Sequence, residues 1–345
     1  MLSSKQIKEI REHLEKAQNP IFYFDNDGDG LCSFLLLQRY IGRGKGVAIK
    51  SFPELTGDYF RRVNELNADY IFILDKAVVS KEFFEEARKV NIPIVWIDHH
   101  LEEKHVPEFI SYYNPVKKEH ENAQAVTAFC YQVSQKKEDL WLAVVGCISD
   151  GFIPEFYPDF IKEYPDLAKK LNNSLEIYYT TQIGKIVKIF NFALKDRITN
   201  VINMLRFLMK AKSPYEVLED SSKTYTMHKR FNEINKKYQR LLDKARKVAT
   251  KDKLLFFKYG GDLSISSDLA NELTYLYPNR VIVVAYTTGI KANISGRGKS
   301  VKPLIMKAIN GLENSTAGGH DVAVGAKVMI DDLEEFRTRL LESVK

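Results

Sequence analysis

Cysteine is scarce: the 345 residues hold three, Cys32, Cys130 and Cys147, far apart and each among apolar neighbours. That spacing excludes a disulfide scaffold and a zinc site built on thiolates, and a reducing, cytoplasmic setting is the simplest account of it. Long apolar runs are missing too. No stretch reaches the roughly 18 residues that suggest a membrane span. The opening MLSSKQIKEIREHLEKAQ reads as a charged helix rather than a signal peptide, so no membrane partner is expected. There is no internal repeat and no low-complexity segment. Nor is there much charge of one sign: 51 basic against 45 acidic residues leave a net +6. That is a weak hint at a polyanionic partner, because enzymes with no nucleic acid to bind can be as basic. Hydrophobic content of 45% and charged content of 28% are ordinary globular values and exclude disorder and collagen-like repeats. The length suits about two domains.

What is present alternates. IFYF (Ile21 to Phe24), YIFIL (Tyr70 to Leu74) and IPIVWI (Ile92 to Ile97) are short β-rich runs, AVVGCI (Ala143 to Ile148) is apolar and ambiguous, and Leu31 to Tyr40 and Lys81 to Val90 are helical. Strands alternating with helices predict an α/β fold with a mostly parallel sheet and helices on both faces. Ligands of such sheets bind beyond the carboxyl ends of the strands. The stretch from about Tyr157 to Thr250 is helical and basic. In it Met227, Phe231, Ile234, Tyr238, Leu241, Ala245 and Val248 recur at steps of three and four, an apolar stripe opposite Lys229, Arg230, Lys236, Lys237, Arg240, Lys244, Arg246 and Lys247. That basic face is more simply a solvated connector than a nucleic-acid surface. LLFFKY (Leu254 to Tyr259) and VIVVAY (Val281 to Tyr286) predict strands with a helix, Asp268 to Tyr277, between them. ANISGRG, an amphipathic Val301 to Ile309 and STAGGHDVAVGAKVMI follow.

The densest chemical signal is DNDGDG, Asp25 to Gly30, directly after the first strand. Carboxylates at alternate positions suit a hard cation such as Mg2+, Mn2+ or Ca2+. An EF-hand fails twice, since its twelfth position is Leu36 rather than Glu and a strand precedes it. A plain acidic turn is the simpler account of this motif alone. The chain then repeats the arrangement. YIFILD ends in Asp75, IPIVWIDHH in Asp98, His99 and His100, and AVVGCISD in Asp150, each read as the end of a strand. Any one of these Asp residues is more often a cap or turn former. Together they would line one sheet edge, where unpaired carboxylates repel and their pKa values climb. Cations remove that cost, so two metal ions held by Asp and His are expected. GRGKS at Gly296 to Ser300 is no phosphate-binding loop, because Asn293 stands where that loop needs glycine. Gly318-Gly319-His320 by itself is better read as a tight turn before a strand.

Taken in order, these motifs resemble the DHH phosphoesterase superfamily, in particular its RecJ-like, archaeal-type members, over nearly the whole chain. DNDGDG is similar to motif I, Asp75 to motif II, Asp98-His99-His100 to motif III and Asp150 to motif IV. ISGRG and AGGHDVAVGA resemble the DHHA1 substrate-binding domain. The resemblance implies a DHH domain over 1–200, a helical connector over 201–252 and a smaller α/β DHHA1-like domain over 253–345. It implies two divalent cations, Mn2+ or Mg2+, with Asp25, Asp27, Asp29, Asp75, His99 and Asp150 as ligands and Asp75 bridging both ions. His100 would face the scissile phosphate and Asp98 would orient the histidines. Ser295, Arg297, Gly318, Gly319 and His320 would hold substrate phosphates.

Three departures narrow the expectation. LDKAV replaces the commoner Asp-Asn-Gly or Asp-His of motif II, and Tyr23 stands where oligonucleotide-recycling members carry a histidine. No room is left for the OB domain of bacterial RecJ. The expected activity is metal-dependent hydrolysis of single-stranded DNA or RNA in repair or replication. The rivals are a nano-RNase or cyclic-dinucleotide phosphodiesterase and a Cdc45-like replisome scaffold. A replisome or repair-helicase protein is a conceivable partner.

Overall fold

The computed structural model describes residues 1–51, 54–101, 106–116, 124–249 and 252–344; Thr250, the expected end of the helical stretch, lies outside them. The chain divides into two compact units, Met1–Phe231 and Asn232–Lys345.

The first unit is built on a five-stranded sheet in the order Lys45–Ile49, Pro20–Asp25, Tyr70–Leu74, Ile94–Ile97, Ile110–Tyr113. Every neighbouring pair is parallel. The central strands are buried on both faces, and for that reason their sequences are continuous apolar runs rather than alternating ones. Ile21, Phe22, Tyr23 and Phe24 all have 0% exposure. One face packs Tyr23, Ile73 and Trp96 against Phe60, Phe83 and Ala87. On the other, Phe22 stacks on Phe72 at 4.9 Å and Phe24 on Phe34 at 5.1 Å. Phe34 belongs to the helix Gly28–Ile41, which starts at the N-cap Asp27 and stops at Gly42, whose φ of 72° is left-handed. The expected strands and helices of this unit are present with shifts of a few residues at their ends. All three cysteines are free and buried.

One expectation is overturned. AVVGCI belongs to a helix, Leu140–Ser149, and not to a strand. An apolar run of this length suits a fully buried element of either kind, and Leu140 through Ile148 are buried without a break. Gly146 lets the helix approach Val126–Ser134, since a Cβ there would run into Thr127 Oγ1. Asp150 therefore stands at a helix C-terminus.

The second unit holds a five-stranded sheet ordered Thr316–His320, Ala323–Met329, Lys291–Arg297, Val281–Thr288, Leu254–Gly260. It is antiparallel except for its last pair. The helices Ser266–Leu276, Val301–Ile309 and Leu333–Val344 complete it. Gly318-Gly319-His320 ends the edge strand Thr316–His320 rather than forming the turn itself. The long helix Tyr225–Lys247 buries Met227, Phe231, Ile234, Tyr238 and Ala245 as the stripe predicts. It buries Leu242 (3% exposed) in place of Leu241, and Val248 is 53% exposed. After Tyr238 the step is four and then three, so the stripe turns one residue later than expected.

A buried ion pair ties the first unit's helices together. Arg39 Nη2 lies 2.6 Å from Asp139 Oδ1, with side chains 12% and 0% exposed. The same guanidinium donates to the carbonyls of Leu208 and Ala211 at 3.0 and 2.6 Å. Asp139→Ala would leave that guanidinium without its carboxylate and should cost about 3–5 kcal/mol of stability. Urea unfolding of variant and wild type measures the difference.

Candidate metal centre

The parallel order of the first sheet puts the carboxyl ends of Pro20–Asp25, Tyr70–Leu74 and Ile94–Ile97 side by side. Asp25, Asp75 and Asp98 stand there. Asp75 takes a left-handed φ of 56° while its N–H still donates to the Ile97 carbonyl at 3.0 Å. The strand thus stops and turns at Asp75 in a left-handed conformation of the kind that clusters at functional sites.

Two more elements supply the remaining groups. Asp29 sits in the first turn of Gly28–Ile41, only 1% exposed. Its two carboxylate oxygens accept the N–H groups of Val126 and Thr127 at 2.9 and 2.7 Å. These are unpaired donors at the start of helix Val126–Ser134, whose positive dipole end favours an anion there. Asp150 comes from the end of Leu140–Ser149. His99 links them: its Nε2 is 3.2 Å from Asp75 Oδ1, and its Nδ1 is 3.6 Å from Asp150 Oδ2 and 3.1 Å from the Gln124 carbonyl. Ligand atoms converge within 4.8 Å in two sets, Asp75 with His99 and His100, and Asp29 with His99 and Asp150.

His100 is held from behind. Its Nδ1 lies 2.8 Å from Oδ1 of the fully buried Asp98. Its carbonyl accepts from Asn114 Nδ2 at 2.6 Å, and Asn114 also donates to the Tyr112 hydroxyl at 2.8 Å. The contact between Asp98 and His100 is the one an orienting role for Asp98 would require. Asp27 is the N-cap, its Oδ1 accepting the Gly30 N–H at 3.0 Å, and it belongs to neither converging set. Asp25 is also in neither set; it pairs with Lys76 at 2.8 Å. Sequence reading passed over this lysine. LDKAV marked it as a departure, but only the fold shows its ammonium buried against Asp25. Tyr23 turns into the core, donating its hydroxyl to the Tyr59 carbonyl at 2.8 Å.

The electrostatics describe a site short of positive charge. Burial, and then the neighbouring Asp75 carboxylate, push Asp27 and Asp29 well above the usual carboxylate range. Asp150 keeps 35% of its side chain exposed, yet partial loss of water raises it as well, against the pull of His99 and with the help of the Asp75 carboxylate. Burial acts against the charged form of His99, yet the Asp150 and Asp75 carboxylates outweigh it and raise its pKa well above normal. For His100 burial is likewise outweighed, here by Asp98 first, and the pKa is raised to about 9. Burial opposes ionisation of Asp75 too, but its hydrogen bond to His99 wins and its pKa is lowered. With only side chains available, the cluster balances itself by binding protons. A donor set of carboxylate oxygens and imidazole nitrogen fits Mn2+ or Mg2+.

The residues expected to hold phosphate lie in the second unit. Ser295 Oγ donates to Ser266 Oγ at 2.9 Å, and Arg297 Nε donates to Asn271 Oδ1 at 2.7 Å. Register places Ser295, Gly325 and Gly318 in one cross-strand row and Arg297, Ala323 and His320 in the next. Cross-strand partners share a face and neighbouring strands are about 4.8 Å apart, so Arg297 and His320 flank a floor of small residues roughly 10 Å wide.

Residues 21–148 match the DHH family, N-terminal domain. Among solved structures, the chain is similar to Thermus thermophilus RecJ in complex with Mn2+, with 15% identity and a TM-score of 0.70, over 99% of this chain and 54% of that one. It therefore spans about half the length of that protein. A second exonuclease RecJ bound to manganese gives 15% identity and a TM-score of 0.66, over 99% of this chain and 93% of that one. CDC45 from Entamoeba histolytica gives 10% identity and a TM-score of 0.54, over 98% of both chains. These likenesses show the fold, an α/β architecture of RecJ type, and a fold by itself does not fix a function. No curated protein matches the chain. No helix among the described residues is long and apolar enough to cross a membrane.

The pKa directions set a pH dependence. Raised Asp and His groups contribute stability that is present below their unfolded values and lost as pH rises through their folded ones. The lowered Asp75 acts only below the ordinary Asp range, outside this window. The metal-stripped chain should therefore lose stability from about pH 6 to pH 9, and saturating Mn2+ should restore it. Melting curves with and without Mn2+ should show an increment in Tm that grows with pH. An increment that is flat or shrinks would contradict the charge balance described.

Proposed function

From the premise that residues 21–148 carry a DHH-family N-terminal domain, we propose that the chain is a divalent-cation-dependent phosphodiesterase that shortens single-stranded DNA or RNA from an end. One observation carries this reading: Asp29, Asp75, His99 and Asp150, supplied by separate elements, bring their ligand atoms together at one sheet edge. Asp29, His99 and Asp150 would hold one cation, and Asp75, with Asp27 beside it, would complete the place for a second. Bound there, Mn2+ or Mg2+ supplies a more acidic water and offsets charge on the phosphate.

The chain's own groups do the rest. Asp29 is fixed as an acceptor by two backbone N–H groups, so it meets a cation without rearranging. His100, protonated through its pairing with Asp98, presents a positive donor to a phosphate oxygen. In the second unit, Arg297 and His320 bind phosphates from either side of the small-residue floor, with Ser295, Gly318 and Gly319 letting a strand approach closely. Nothing in this reading requires base-specific contacts, and stacking on aromatic side chains would add sequence-tolerant affinity.

End-labelled single-stranded DNA and RNA, incubated with and without Mn2+ and resolved on a gel, test the proposal and give the polarity. Ladders should form only with the cation. Asp75→Ala should abolish them; wild-type turnover in that variant would sink the reading. Asp98→Asn should lower kcat by about 10–100-fold while leaving Mn2+ affinity nearly unchanged, because it disturbs the orientation and charge of His100 rather than a ligand. A chain-length series of substrates separates long strands from dinucleotides.

A further inference from the structure

Lys76 has no part in the hydrolytic reading, yet it is 1% exposed at the edge of the metal centre. Its Nζ is 2.8 Å from Asp25 Oδ1 and donates to the Ser51 carbonyl at 2.8 Å. Its own carbonyl accepts from the buried Trp96 indole N–H at 2.9 Å. The backbone is thus pinned at one end of the residue and the ammonium at the other. A lysine buried to this degree needs a compensating anion, and Asp25 is that anion.

The rest of the pocket is lopsided. Both converging sets of ligand atoms contain His99, and neither contains Asp25 or Asp27. Tyr23, two residues before Asp25, carries its hydroxyl away to the Tyr59 carbonyl. On one side stand a helix-anchored carboxylate, an imidazole and Asp150; on the other, a fixed positive charge has already claimed the nearest carboxylate. A divalent ion placed beside Asp25 would meet a like charge that cannot swing away.

We propose that Lys76 is a resident cation of this centre, which holds Asp25 as its counter-ion rather than as a metal ligand and makes the two cation places unequal. The place on the His99 side fills first, and the place on the Asp25 side binds about tenfold or more weakly. This rests on the hydrolytic reading only in taking the centre to bind divalent cations. It also makes the second cation the one that substrate phosphate would help to recruit.

Calorimetric titration of the chelator-stripped full chain with Mn2+ tests it, each variant first checked for folding by circular dichroism. Wild type should bind one equivalent tightly and the second about tenfold or more weakly. Lys76→Met, close in volume, frees Asp25 and should tighten the second equivalent by about tenfold while leaving the first alone. The double variant Asp25→Asn/Lys76→Met, with both charges gone, should keep both wild-type affinities within about threefold. Two equal sites in wild type, a second affinity unchanged or lowered in Lys76→Met, or a double variant that loses its second equivalent would each overturn the proposal. If Lys76→Met does not fold, the double variant decides alone. Folded wild type that takes up no Mn2+ would instead overturn the metal-centre reading beneath it.

Discussion

Carboxylates crowded at one sheet edge repel one another, and that repulsion governs the candidate site of the first unit. Asp27, Asp29 and Asp150 are driven toward their protonated forms by burial and by their neighbours. A fold that only needed to be stable would have no use for such a cluster, since apolar residues of similar size would cost nothing to bury there. The positive groups around it answer the same constraint in three ways. His99 stands between two carboxylates, the start of Val126–Ser134 offers its N–H groups to Asp29, and Lys76 neutralises Asp25. Divalent cations, on the reading proposed above, would complete the balance.

The scaffold explains how so much charge can be held in place. Parallel strands buried on both faces deliver their last residues to a common edge, and the helices packed on them cannot shift without opening a dense aromatic core. Phe22 stacks on Phe72 and Phe24 on Phe34, and Phe22 and Phe24 belong to the strand that ends at Asp25. Arg39 and Asp139 lock the helix that carries Asp29 to its neighbours. Rigidity of this kind would keep the candidate ligands near a binding geometry before any cation arrives.

Much of this was legible in the sequence. The apolar runs ending in Asp25, Asp75 and Asp98 pointed to the parallel sheet and to the edge where these acidic residues gather, because a strand buried on both faces leaves an unmistakable pattern and the acidic residue after it breaks that pattern. Asp150 was proposed as a ligand on a wrong local reading: AVVGCI is a helix, and a fully buried helix and a buried strand look alike over six apolar residues. The stripe on Tyr225–Lys247 slipped from Leu242 to Leu241 because steps of three and four can be chosen either way. Lys76 was visible as an odd residue after Asp75 but not as a buried cation. Its partner Asp25 lies 51 positions away and only the pairing of neighbouring strands brings them together. The N–H groups of Val126 and Thr127 were invisible for the same reason, since backbone donors leave no trace in composition or spacing.

Crystals of the chain soaked in Mn2+ and measured at the manganese absorption edge test the central claim most directly. Anomalous peaks are predicted at coordination distance, about 2.1–2.3 Å, from the carboxylates of Asp29, Asp75 and Asp150 and from the His99 ring. Well-ordered crystals with those side chains in place and no peak among them, or with manganese bound only elsewhere, would contradict it.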